Sequence, residues 1–299
     1  VAELRAFCAA VDLGSLSRAA RLLQVSQPAL SKRLSSLEAL AGVRLLERTT
    51  RGVTATPAGG RLYTEARRLL AQAEVVEDLM TGLTDHVAPI RLAASHTIAE
   101  FVLPDLLVSY ERRHDRHLSL EVVVANSVTV RGLVSDGRAE VGIAAAGPNA
   151  ARPGLLELPF LDDEIVVVVP TGHPWASGDD VDVENLAQTP LVVRDPGADS
   201  HARVAQVLAE MGLALAPALA EVGSTLAARD TAVAENVPVL MSLVAARRIA
   251  GGLVIRRVRG AQLTRSFTIV LPGTPDTLRP AARALVAHLT ESAETPTRR

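Results

Sequence analysis

Aromatic side chains are almost absent, with four Phe, two Tyr and one Trp in 299 residues. The cores must therefore be assembled from Ala, Val and Leu, each contributing in proportion to the apolar area it removes from water. Cysteine occurs once, as Cys8, which excludes an internal disulfide and fits a reducing compartment. In its context this cysteine reads as a small buried apolar residue. No run of about 18 apolar residues offers a membrane span, and Glu3, Arg5 and Asp12 interrupt any export leader. A cytoplasmic protein without membrane contact is expected. A phosphate-cradling glycine loop, a zinc-ligand spacing among the seven histidines and a nucleophile–base pair are all lacking. His173-Pro174-Trp175 reads as a structural loop. The chain is therefore not expected to be an enzyme, and no metal or cofactor is called for.

What is present is ordinary for a folded soluble protein: 48% hydrophobic and 21% charged residues, in a length that suits two or three modules. The net charge of −2 hides an asymmetry. Residues 1–68 carry 11 Lys and Arg against 5 Asp and Glu, or +6, and the remainder carries 20 against 28, or −8. A basic head on an acidic body points to phosphate as the head's partner.

In the head, Leu4, Phe7, Cys8 and Val11 recur at helical spacing. Gly14-Ser15 stops this helix, and Ser17 is the expected cap of a second one through Ala19, Ala20, Leu22 and Leu23. After the short turn Gln24-Val25, Ser26 is a natural N-cap, and Pro28 suits the first turn of a third helix. That helix runs to about Leu40 with Leu30, Leu34 and Leu37 inward. Two short helices about a tight turn form a helix-turn-helix. Its recognition helix enters the major groove N-terminus first. Ser26, Gln27, Pro28, Ala29, Ser31, Lys32 and Arg33 are the candidate DNA-binding residues there. Gln27 and Arg33 are expected at base edges, and Ser31 and Lys32 at edges or phosphates. Residues 43–57 read as two β-segments around Arg51-Gly52, a wing on which Arg48 and Arg51 face phosphate or a minor groove.

The stretch Gly14-Ser15-Leu16-Ser17-Arg18-Ala19-Ala20, with Val25-Ser26-Gln27-Pro28-Ala29-Leu30-Ser31 after it, resembles the LysR-type transcriptional regulators. Leu45-Leu46-Glu47-Arg48 and Thr54-Ala55-Thr56-Pro57-Ala58-Gly59 resemble their wing. The match is dense over residues 2–63. It divides the chain into a winged helix-turn-helix (1–57), a linker helix (58–86) and a two-lobed effector domain.

From Pro57 to about Thr84, apolar residues Leu62, Ala66, Leu69, Ala73, Val76, Met80 and Leu83 recur at steps of four and three. That is a heptad seam. It either pairs two chains or packs on the chain's own body. Directly after a DNA-binding head, pairing is the better explanation, since two heads can then read two half-sites. The resemblance implies the same homodimer, and often a homotetramer.

Beyond 86–89, strands and helices alternate, with strands expected at 90–94, 118–125, 141–145, 165–169, 191–194, 218–222, 237–241 and 267–271. The continuous apolar run Ile165 to Val169 suits a strand buried on both faces, as in a parallel α/β sheet. Open α/β sheets bind ligands where strands end and helices begin. Four such junctions carry polar groups: Ser95-His96-Thr97, Asn126-Ser127-Val128-Thr129, Asp199-Ser200-His201 and Gly223-Ser224-Thr225. Each is equally a helix cap, and Thr97 with Glu100 forms a plausible capping box.

By resemblance, this body is a two-lobed effector domain of the type 2 periplasmic-binding-protein-like fold. Lobe I would be 90–165 and 269–299, lobe II 166–268, with crossings near Val166 to Pro170 and Ser266 to Ile269. A small, anionic effector would sit between Ser95, Thr97, Asn126, Ser127 and Thr129 on one side and Ser200, Ser224 and Thr225 on the other. His96, His201 or Arg194 would supply a cation. Ser95 to Pro104, Asn126 to Val128, Val192 to Gly197 and Leu263 to Phe267 resemble the CysL-like branch. The chain departs from it at Ala198-Asp199-Ser200-His201, where Asp199 would disfavour a multiply charged anion unless it turns away. The implied partners are double-stranded DNA, the effector, further copies of the chain and RNA polymerase. The body alone would also suit a transport-type solute-binding protein, but that would leave the head unexplained.

Overall fold

The computed structural model describes residues 1–49, 52–81, 88–114, 117–147, 154–194, 199–249 and 251–294. The head consists of α1 (Ala2–Leu13), α2 (Leu16–Leu22), α3 (Gln27–Ala41), β1 (Leu46–Thr49) and β2 (Gly52–Ala55), followed by the long α4 (Pro57–Thr81). Its core gathers Phe7 from α1, Ala19 from α2 and Leu30, Leu34 and Leu37 from α3. Ser15, not Ser17, caps α2, accepting from the N–H of Arg18 at 3.4 Å. Ser17 sits two positions into the helix, and its hydroxyl donates to Gln27 Oε1 at 3.0 Å, tying α2 to the start of α3. Ser26 caps α3 as expected, accepting from the N–H of Ala29 at 3.3 Å. The wing is an antiparallel pair closed at Thr49 opposite Gly52. Two glycines let it pack: a Cβ on Gly52 would lie 2.4 Å from the Gly14 carbonyl oxygen, and one on Gly59 2.0 Å from that of Leu45. Backbone that close admits no side chain.

The seam on α4 is divided. Ala66 is buried against the head together with Leu70, and Leu62 packs beside them, so this part belongs to the head's own core. Leu69 and Val76, seven residues apart, stand 50% and 56% exposed. The expectation that one continuous stripe faces a partner is thus corrected. The helix first has to dock on α1, and only beyond that contact is its apolar face open.

The body begins with β3 (Ile90–Ala94), α5 (His96–Phe101), α6 (Leu103–His114), β4 (Leu120–Val124), α7 (Ser127–Ser135) and β5 (Val141–Ala145). Between β3 and β4 the helical stretch is not continuous but broken at Val102, just before Pro104. The long β6 (Leu156–Pro170) follows, then β7 (Val181–Asp182), α8 (Val183–Gln188), β8 (Val192–Arg194), α9 (Asp199–Glu210) and β9 (Ala220–Val222). The chain continues with α10 (Thr225–Glu235), β10 (Val239–Ser242), α11 (Leu243–Ile249), β11 (Leu253–Arg256), β12 (Val258–Arg259), β13 (Thr264–Leu271) and α12 (Pro280–Glu294).

The main sheet runs β4-β3-β5-β13-β6-β10-β8-β9, with β11 also on β6. β6 serves both halves. Its Leu156–Glu164 stretch pairs with β13, and its Ile165–Pro170 stretch pairs with β10 and β11. All three ladders are antiparallel, so the reading of Ile165 to Val169 as a parallel strand is corrected. The burial behind that reading is real. Ile165, Val167 and Val169 enter one core while Val166 and Val168 enter another, and a strand covered on both faces is uniformly apolar whatever its direction. The partner strand β13 ladders with β6 from Thr264 opposite Glu164 to Leu271 opposite Leu156, and the expected return crossing, Ser266 to Ile269, lies within that ladder.

Where the halves meet, a buried ion pair spans neighbouring strands. Arg265 Nε donates to Asp163 Oδ2 at 2.9 Å, with 6% and 0% of the two side chains exposed. Asp163 Oδ1 accepts from Ser242 of β10 at 2.9 Å, and Arg265 Nη2 donates to Thr97 of α5 at 3.2 Å. Two charges taken out of water persist only when such partners satisfy them. Arg265→Met alone should cost about 3–5 kcal/mol by stranding the carboxylate. Arg265→Met with Asp163→Leu should recover most of that, read by urea unfolding.

A second buried titratable group lies between α6 and α12. His288 is 4% exposed, with Nε2 2.7 Å from Ser109 Oγ. The Ser109 hydroxyl donates to the Leu106 carbonyl, so Nε2 must be the protonated nitrogen, and Nδ1 finds no partner among the described residues. Burial, then the nearby His114 and Arg113, hold His288 below its ordinary value of 6.5. The folded protein keeps it neutral while the unfolded chain takes up the proton. Stability is therefore complete above that ordinary value and drains as pH falls below it. The melting temperature should drop between about pH 7 and pH 5.5, and His288→Leu should flatten this dependence.

Candidate nucleic-acid interface and effector cleft

The outward surface of α3 is polar and cationic by geometry. Burying Leu30, Leu34 and Leu37 leaves Ser26, Gln27, Pro28, Lys32, Ser35 and Ser36 exposed, with Ala29, Ser31 and Arg33 half-buried at its margins. The face therefore centres on Pro28 and Lys32, and Ser35 and Ser36 extend it beyond the residues read from sequence. Gln27 is exposed but held through its side-chain oxygen by Ser17. Arg33 is close enough to α1 to be the last of the causes that lower the Glu3 carboxyl, after a backbone hydrogen bond and the chain's amino terminus. Arg48 belongs to β1, opposite Val53, and Arg51 lies outside the described residues.

In the body, two adjoining pockets open at the junction of the halves. Ser95, His96, Thr97, Asn126 and Arg194 line the first together with Ala125, Asp199, Arg265 and Phe267. Arg194, Ser200 and Thr225 line the second, with Thr97 and Arg265 shared and Ser242 and Met241 behind them. Each has a free volume of about 10 Å³, the room of about one water.

Local sequence explains the placement. Asn126 caps α7 by accepting from the N–H of Thr129 at 2.9 Å, and Ser224 caps α10 by accepting from that of Ala227 at 3.1 Å. Thr129, Ser224 and His201 line neither pocket. The expected Thr97–Glu100 capping box is not formed. Thr97 lies inside α5 and accepts from Arg265, while Glu100 lies 3.5 Å from His96 Nδ1. Ser95, the residue preceding α5, is 5% exposed, and its hydroxyl has no partner among the described residues. Arg194 donates to Thr225 Oγ1 at 3.3 Å.

Asp199 does not turn away. It faces the first pocket and accepts from the Ser127 hydroxyl at 2.5 Å, closing the cleft from α7 to α9. Ser127 is itself buried, and its oxygen accepts from the N–H of Ala145 at 2.9 Å. Behind α7, Arg131 makes a two-pronged pair with Glu157 at 2.8 and 2.9 Å. Burial would raise the Glu157 carboxyl, but the Arg131 and Thr268 hydrogen bonds outweigh it and hold the group low. Sequence reasoning overlooked Arg265, Phe267 and Asp163 as site residues because they lie within strands, and Ser242 although it ends β10 directly before α11. The single arginine of the otherwise uncharged β13 was the available signal.

Residues 1–60 match the profile of the bacterial regulatory helix-turn-helix protein, lysR family. Residues 85–294 match that of the LysR substrate binding domain. An uncharacterized HTH-type transcriptional regulator of Mycobacterium tuberculosis is 36% identical over 299 residues, spanning 95% of this chain and 94% of that protein. The HTH-type transcriptional regulator CysL of Bacillus subtilis is 29% identical over 212 residues, 70% of each. A full-length OxyR variant from Pseudomonas aeruginosa shares the fold at a TM-score of 0.76 and 23% identity, over 99% of this chain and 94% of its own. No described helix is long and apolar enough to cross a membrane. With both of its segments matched in order, the chain belongs to the LysR family: it is a DNA-binding transcriptional regulator with an effector-binding domain, and not an enzyme.

Proposed function

We propose that this regulator docks α3 in the major groove of double-stranded DNA and responds to a small effector, carrying an anionic group, bound between the two lobes of its body. The observation that carries the first part is the exposed Ser26, Gln27, Pro28 and Lys32 face over the buried Leu30, Leu34 and Leu37. Lys32 and the α3 N-terminus meet phosphate, Gln27 and Arg33 reach base edges from the margins, Ser26, Ala29 and Ser31 lie against the groove, and Arg48 and Arg51 grip the flanking backbone.

The head is taken as 1–57, the linker as 58–86 and the lobes as dividing within β6 and at β13. Two chains pair through the α4 face carrying Leu69 and Val76, which presents two heads to two half-sites. In the cleft, Ser95, His96, Thr97, Asn126, Arg194, Ser200 and Thr225 form the effector site, and Ser127 controls its closure. Effector binding favours separated lobes over the closed arrangement. The response is a shift of population that requires a different affinity for the two states. Thiol-based sensing in the body is excluded, since the single cysteine, Cys8, is in the head, where burial pushes its thiol up to about 11.

Binding of the full chain to a random-sequence duplex, followed by fluorescence anisotropy across a salt series, tests the docking. Lys32→Ala and Arg51→Ala should each weaken binding and lower the salt slope by about 0.9 per phosphate contact removed. Unchanged affinity and slope in both variants would remove the assignment of α3 and the wing.

A further inference from the structure

The walls of the cleft carry charges of both signs. Arg265 has its charge met by Asp163 in the buried pair beneath the floor. Arg194 from β8, which also donates to Thr225, and Asp199 from α9 face the same pocket. The described partner of Asp199 is a neutral hydroxyl, that of Ser127, at 2.5 Å. The buried Ser95 hydroxyl, without a partner among the described residues, lines the same space. A ligand bearing only negative charge would gain Arg194 and Ser95 but would have to lie beside an ionised carboxylate, which accepts hydrogen bonds and cannot donate them.

We propose that the effector is a zwitterion, a small molecule of the α-amino-acid type whose ammonium group binds Asp199 and whose carboxylate binds on the Arg194 and Ser95 side. This rests on the reading of the cleft as the effector site. An ammonium group brings donors to the acceptor-only Asp199, and its charge matches where that of an anion does not. The exchange is favoured locally. When an ammonium displaces Ser127 from Asp199, the serine oxygen still accepts from the Ala145 N–H at 2.9 Å, so the buried hydroxyl keeps one of its two hydrogen bonds. The same displacement removes a contact that holds α7 to α9, so ammonium recognition and lobe opening are one event. A plain carboxylate reaches the Arg194 side without breaking that contact.

The test uses the full chain, with isothermal titration calorimetry and thermal shift against the standard amino acids. Each is paired with its deaminated acid and its decarboxylated amine. At least one amino acid should bind about tenfold or more tightly than either matched compound. Asp199→Asn should weaken that amino acid by about tenfold or more while leaving the deaminated acid unchanged or tighter. Ser127→Ala, which keeps the carboxylate and removes its competitor, should tighten the amino acid and serves as the second variant should Asp199→Asn fold poorly. Equal affinity for the deaminated acid, binding by no amino acid, or an amino-acid affinity indifferent to both variants would overturn the proposal. If deaminated acids or sulfate bind at least as tightly as every amino acid and lose affinity in Arg194→Ala, the zwitterion is wrong and the effector cleft stands. If a ligand binds with no response to Arg194→Ala, Ser95→Ala or Asp199→Asn, the cleft reading fails with it.

Discussion

The body is organised around one costly interaction, the Arg265–Asp163 pair set side by side on β13 and β6 where the chain passes between its halves. Neither group could be buried alone, because an unpaired charge in a low-dielectric interior carries a large desolvation penalty. Completing their hydrogen bonds draws in Thr97 from one half and Ser242 from the other. The floor of the cleft is thereby a single network with members on both sides. Phe267 backs it, with the Arg265 guanidinium carbon 4.7 Å from its ring centroid, an arrangement that adds cation–π attraction. The strands carrying this network are fixed points about which the outer elements of each half can move.

The contacts above the floor are of another kind. Ser127 with Asp199, and Arg248 with Asp105 on the outer surface, join the halves through one polar contact each. The Arg248–Asp105 pair is largely exposed, and exposed pairs contribute little net stability. A firm hinge below and weak contacts above make opening inexpensive compared with unfolding. The cleft, with about the room of one water in each pocket, is the closed arrangement in the proposed response.

Much of this was legible in the sequence, and the gaps have physical causes. The head was readable because its helices are short, capped and amphipathic, so local pattern and tertiary packing agree. The cap of α2 was misplaced by two residues because Ser15 and Ser17 both suit the position and only backbone geometry separates them. The α4 stripe was legible as apolar but not by partner, since Ala66 docking on the head and Leu69 facing away look alike at heptad spacing. The strands at Ile90 to Ala94 and Val141 to Ala145 were legible to the residue. The first half of β6 was not, because Leu156–Glu164 mixes acids with apolar residues and has no simple period. At the cleft, helix-start polar groups were found by rule, whereas Arg265 and Asp163 required knowing which distant strands are neighbours.

How a movement in the cleft reaches the head is constrained by where the linker is held. Ala88 and Pro89, the first described residues after α4, offer their carbonyls to Arg279, which precedes α12. Arg279 makes a two-pronged pair with Glu140, at 2.6 Å through each oxygen, and Glu140 Oε2 also accepts from the Arg91 N–H. Ala88 and Pro89 are therefore held on the β3, β5 and α12 side of the body, the half that carries Ser95, Asn126 and Ser127. The other half, with Arg194 and Asp199, has no comparable hold on Ala88 or Pro89 among the described residues. In the opening proposed above, a head that keeps its place on the first half would sense the second through whatever that half touches.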